Sequence, residues 1–142
     1  MDSTVPGWSA LLALQQATHA TMHVLASELA ELDLTASEIN ALANLADERS
    51  WSVSELGRAA GTRPTTLTSV LDRLERRGHI IRGPRPGDRR AVQVELTPSG
   101  REAAAAIRHA ITGIEQRALG PLPAEATAVL RTALQAFTEV SG

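Results

Sequence analysis

Two clusters in the middle of the chain have residue types suited to gripping a polyanion. The first is a run of short hydroxyls, Thr65, Thr66, Thr68 and Ser69, followed by Arg73, with Arg63 just before it. Short hydroxyls allow close approach to base edges and phosphates, and a guanidinium binds guanine bidentately or holds a phosphate. Arg76 and Arg77 extend the run, either as further contacts or as solvated charges. The second cluster is the segment 83–90, Gly-Pro-Arg-Pro-Gly-Asp-Arg-Arg, a turn by composition. Its Arg85, Arg89 and Arg90 could enter a narrow minor groove.

The overall charge conceals these clusters. The chain has 142 residues, with 14 basic against 16 acidic side chains and a formal charge of −2. By segment the balance is −7 over residues 1–48, +6 over 49–90 and −1 over 91–142, and every basic residue is arginine. Fields act locally, so a middle third at +6 is an electrostatic footprint whatever the total. The three aromatics, Trp8, Trp51 and Phe137, are too few for a binder that stacks single-stranded bases on rings. The absence of cysteine excludes disulfides, zinc–thiolate sites, thiol catalysis and thiol redox sensing.

Other candidate groups are sparser. His19 and His23 stand four apart on one helix face, the spacing of metal ligands, but no third ligand follows from spacing, so no metal site is expected. His79, beside Ile80, reads as structural and His109 as solvated. Trp8 reads as an N-terminal anchor and Trp51 as packing near the β-ribbon. Asp47 and Glu48 precede Arg49 at a helix end and read as surface charge. No glycine-rich phosphate loop and no nucleophile motif is present, so neither an enzyme nor a cofactor is expected. Residues 3–27 lack charge, yet serines, threonines, glutamines and histidines interrupt the apolar run, which argues against a spanning helix. With Arg49 the first basic residue, there is no secretory n-region, and the expected location is cytoplasmic.

The elements that must position the clusters follow from periodicity. Apolar residues from Leu11 to Leu32 step by three and four, predicting a long helix over about 6–32. Thr35-Ala-Ser-Glu38 and Ser52-Val-Ser-Glu55 are capping boxes that open the next two helices, ending near Ala46 and at Gly61. Pro64 favours the first turn of a fourth helix, with Leu67, Val70, Leu71 and Leu74 inward and Gly78 as its stop. The period then changes to that of a β-hairpin, His79–Arg82 pairing with Ala91–Leu96. Thr97-Pro98 opens a helix to about Leu119, and a last helix follows the Gly120–Pro123 break to about Val140. Two short helices joined by Gly61-Thr62-Arg63, followed by a β-ribbon, form a winged helix-turn-helix pattern, whose second helix lies in the major groove.

These residues resemble the multiple-antibiotic-resistance regulator (MarR) family. The resemblance is carried by Leu34-Thr35, Leu42 and Leu45, and by Val53-Ser-Glu-Leu-Gly57. It continues through residues 65–78 and above all through 87–100, an Asp-x-Arg at Asp88 and Arg90 followed by a strand and Leu-Thr-x-x-Gly. Thr62 and Arg63 depart from the family's usual apolar and capping residues. The resemblance implies a mainly α fold with a small β-wing, a single domain over 1–142, its DNA-binding part at 35–97 and dimerisation helices at 6–32 and 98–140. It implies a wing-stabilising ion pair at Asp88 and Arg90 together with DNA contacts. It also implies a homodimer on a near-palindromic double-stranded operator, acting as a repressor released by a small ligand, with His19 and His23 at a candidate effector pocket. The competing readings are a winged-helix protein-interaction module without DNA binding and a metal-responsive regulator using His19 and His23.

Overall fold

Ser9, whose hydroxyl accepts the Leu12 N–H, caps the first helix of the computed structural model, which describes residues 7–47 and 49–140. Helix α1 spans Ala10–Glu28. The expected continuation to residue 32 is not α-helical: Ala30–Leu32 tightens into a short 3-10 helix, closed by Asp33 at φ 52. The guanidinium of Arg77 makes this break possible, because it donates to the backbone carbonyls of Leu32 and Asp33 that continued helix would have used. Residue 6, the expected helix start, lies outside the described residues.

Both capping boxes form as expected. Thr35 and Glu38 exchange bonds at 3.2 and 2.9 Å to open α2, Ala36–Leu45. Ser52 and Glu55 do the same at 3.1 and 2.8 Å to open α3, Val53–Ala60. Gly61 ends α3 at φ 64, a conformation costly to residues with a Cβ. Helix α4, Pro64–Arg76, begins with proline at its first turn, as expected, and ends before Gly78.

Trp51–Ser52 forms a short strand, β1, which periodicity did not indicate. The hairpin is longer than expected, with β2 at Ile80–Arg85 and β3 at Asp88–Leu96, both antiparallel, in the order β1-β3-β2. The Pro86-Gly87 turn reverses the chain with Gly87 at φ 83. Helix α5 spans Pro98–Leu119, its start held by the Thr97 hydroxyl accepting the Gly100 N–H, and α6 spans Ala124–Glu139.

The chain divides into two compact units, Met1–Ala110 and Ile111–Gly142, with the boundary inside α5. The first unit holds the core, in which Leu42, Leu45, Leu56, Leu71, Leu74, Ile80 and Val94 are all but inaccessible and Ile107 of α5 joins them. In the second unit α6 buries none of its residues. No helix among the described residues is long and apolar enough to cross a membrane.

Candidate nucleic-acid interface

The fourth helix is amphipathic in the sense a reading helix requires. Leu67, Val70, Leu71 and Leu74 are buried, so the opposite side must face solvent. Arg63, Thr65, Thr66, Thr68 and Ser69 are all exposed there. No acid occupies the first turn of α4, which leaves the positive end of its dipole unopposed. The Thr68 hydroxyl donates to the Pro64 carbonyl at 2.9 Å and keeps its lone pairs for an incoming donor. Arg73, one turn further on, is half-buried rather than exposed.

At the wing, Arg89 and Arg90 are exposed on the hairpin tip. Asp88 shapes that tip by accepting the Arg90 backbone N–H at 3.0 Å. This bond stands in place of the side-chain ion pair implied for Asp88, because the tight turn points its carboxylate back at the β3 backbone. Arg85 is also placed differently from expectation. Its guanidinium is 3.1 Å from Glu55 Oε1, the same oxygen that accepts the Ser52 N–H, so it ties the wing to the start of α3. The Ser52 backbone N–H, with the Arg85 charge and the Ser52 hydroxyl adding to it, holds the Glu55 carboxyl below the usual glutamate range.

Sequence reasoning missed the arginine that joins the wing to α4. Arg82 on β2 reaches Asp72 Oδ1 and Glu75 Oε1 of α4, each at 2.7 Å. The hydrogen bond from Arg82 pulls the Glu75 carboxyl below its ordinary range, and the two carboxylates raise the guanidinium in turn. The available signal was the i, i+3 acid pair on α4, which needs a cation facing it. Arg77 was likewise open to a solvated reading, and it binds the carbonyls that end the first helix.

The remaining candidates fall outside this surface or support it. His19 and His23 are exposed on α1 with ring centroids 5.8 Å apart. Among the described residues, no group of three or more His, Cys, Asp or Glu could hold a metal ion. His79 Nδ1 lies 2.8 Å from Ser99 Oγ, and burial together with the Arg77 charge lowers its pKa, against an opposing contribution from Glu38. His109 is exposed. Trp51 is buried on β1, its indole N–H donating to Asp47 at 3.0 Å and the Arg49 guanidinium lying 3.9 Å above the ring. Asp47 is therefore a structural acceptor as well as a surface charge. Trp8 is 82% exposed.

Comparison with known proteins places this arrangement. The family model described as the MarR family matches residues 34–92, from the start of α2 into β3. The transcriptional repressor NicR of Pseudomonas putida is 35% identical over 98 residues, 68% of this chain and 62% of that protein. The chain spans about half the length of most of the curated relatives it matches. Among solved structures, a mutant of MarR from E. coli, complexed with operator DNA, is 26% identical with a TM-score of 0.71, covering 87% of this chain and 89% of that one. NadR, solved with 4-hydroxyphenylacetate, shares the fold at a TM-score of 0.84 and 23% identity, covering 99% of each chain.

Proposed function

The chain belongs to the MarR family, a family of transcriptional regulators and not of enzymes, and on that premise we propose that it is a sequence-specific binder of double-stranded DNA. It acts in the cytoplasm as a homodimeric repressor on a near-palindromic operator. The observation that carries this reading is the one-sided exposure of Arg63, Thr65, Thr66, Thr68 and Ser69 on α4, whose other side is core, together with Arg89 and Arg90 at the wing tip. One element of that kind fits the major groove and the other the adjacent minor groove. The operator complex of the E. coli relative supports DNA as the partner, and the name of NicR supports repression. Homodimerisation is supported by the apolar side chains that α6 leaves exposed, Val129, Leu130 and Phe137. Release by a small ligand near His19 and His23 rests on the family resemblance.

A salt-titrated gel shift with Arg73→Ala and Arg89→Ala tests the reading. A lost base-edge contact weakens binding by about 1–3 kcal/mol and relaxes preference at one position. A lost phosphate contact instead lowers the salt slope by about one unit. Unchanged affinity in both variants, or salt-insensitive binding without sequence preference, overturns the assignment in favour of a protein-interaction module.

A further inference from the structure

One buried acid beneath the reading helix is only half used. Glu38, 3% exposed on α2, gives Oε1 to the Thr35 N–H at 2.9 Å, but its buried Oε2 has no partner. On α4, the Nε of Arg73 is also buried and also without a partner. Both residues line the same cleft of about 380 Å³, which Arg76 and Arg77 complete.

Buried polar atoms in folded proteins are almost always satisfied by protein or by ordered water. Here the two orphans are complementary, one an acceptor and one a donor, and they belong to residues that line one cleft wide enough for a water molecule. The neighbouring guanidiniums are engaged elsewhere: Arg77 with the carbonyls of Leu32 and Asp33, and Arg76 Nε with the Asp72 carbonyl at 3.4 Å.

We propose that an ordered water bridges Glu38 Oε2 to Arg73 Nε–H, so that Glu38 is a positioning residue for the Arg73 guanidinium. The proposal rests on the DNA-binding reading for its consequence but not for the link itself. A long arginine side chain loses considerable rotamer freedom on binding. Fixing its Nε from the core side removes part of that loss and leaves the terminal nitrogens for a base edge or phosphate. Helix α2 thereby helps aim a side chain on α4 without touching DNA.

The variant Glu38→Gln isolates this role. Glutamine serves a capping box as glutamate does, so Oε1 still accepts the Thr35 N–H. The second oxygen becomes an amide donor. A water there would accept from both sides and find no acceptor for its own hydrogens among three guanidiniums. The probe is a duplex selected by the wild-type protein from random sequence. E38Q is expected to bind it about tenfold more weakly, the order set by one charge-assisted hydrogen bond, with an unaltered salt slope. R73A should bind more weakly too, and the double variant E38Q/R73A no more weakly than R73A alone, since both act through one guanidinium. In the DNA-free protein, the Arg73 Nε–H resonance, assigned by its loss in R73A, should exchange slowly with solvent and should shift and exchange faster in E38Q. Affinity losses that multiply, wild-type binding by E38Q, or an Nε–H signal indifferent to E38Q overturns the proposal. If E38Q does not fold, R73K, which keeps the charge but lacks the Nε–H fork, must show the same tenfold loss at unchanged salt slope, and wild-type affinity there overturns it. If the wild-type protein selects no duplex, the DNA reading fails, and the Nε–H exchange in free protein still decides the link.

Discussion

Arginine does different work at nearly every position in the central third of this chain. Arg89 and Arg90 are exposed at the wing tip, whereas Arg82 and Arg85 fasten the wing to α4 and α3. Exposed ion pairs are individually weak, but Arg82 engages two carboxylates one turn apart and so fixes an orientation. Arg82→Gln is expected to leave the core folded while hydrogen exchange of the β2–β3 hairpin amides speeds up, and duplex affinity falls about tenfold, as for loss of a charge-assisted pair. Unchanged wing exchange in that variant would refute the role. The same fastening should respond to acid. Glu55 and Glu75 have depressed pKa values, so their contribution is complete at neutral pH and disappears only as pH falls below the ordinary glutamate range, about 4.3, and through the folded values. The exposed hydroxyls were legible because helical period alone turns them away from Leu67, Val70 and Leu74, and the tip arginines because they adjoin a Gly/Pro turn. Arg82 and Arg85 were not, since their partners lie 10 and 30 residues away and are selected by hairpin register and helix–strand packing.

At the level of elements, local chemistry predicted both boundaries of every helix but the first to within two residues. Thr35, Ser52, Pro64 and Thr97 each mark a beginning through a bond or a ring that the residue itself supplies. The end of the first helix escaped because it depends on Arg77, a residue 45 positions from Leu32. Strand β1 escaped because two residues carry no periodicity and Trp51 finds its place only against Val94. One junction is open to a direct test. Gly100 of α5 sits so close to the end of α4 that a Cβ there would lie 1.9 Å from the His79 carbonyl oxygen. Helix propensity alone would favour alanine by about 1 kcal/mol. The clash instead predicts that Gly100→Ala loses about 3 kcal/mol or more, as overpacking against rigid backbone does. Gly113→Ala on the same helix, whose nearest neighbour would be the end of the Arg117 side chain at 3.7 Å, should gain up to about 1 kcal/mol. Urea denaturation of both variants measures the contrast, and equal stabilities would refute the close approach.

The whole molecule distributes charge and apolar surface in a way that one copy does not complete. Acids gather over residues 1–48 and arginines over 49–90, so the near-neutral total of −2 is a sum of opposed parts rather than an absence of field. Helix α6 runs 16 residues without burying one, while Val129 is 67%, Leu130 40% and Phe137 36% exposed. A polar helix could stand so in water; one with this apolar content lacks a partner. If that partner is a second copy, two reading helices become linked, and binding of the second half-site becomes intramolecular. The double variant Val129→Asp/Phe137→Asp places two charges on the face and should convert the protein from dimer to monomer in sedimentation equilibrium. Affinity for a duplex carrying both half-sites should then drop by about 100-fold or more, the scale of lost avidity, while affinity for a single half-site stays unchanged. A wild-type monomer, or a variant that remains dimeric, would remove α6 from the interface. Equal losses on both duplexes would show that the substitutions reach the DNA-binding unit itself rather than the coupling between two copies.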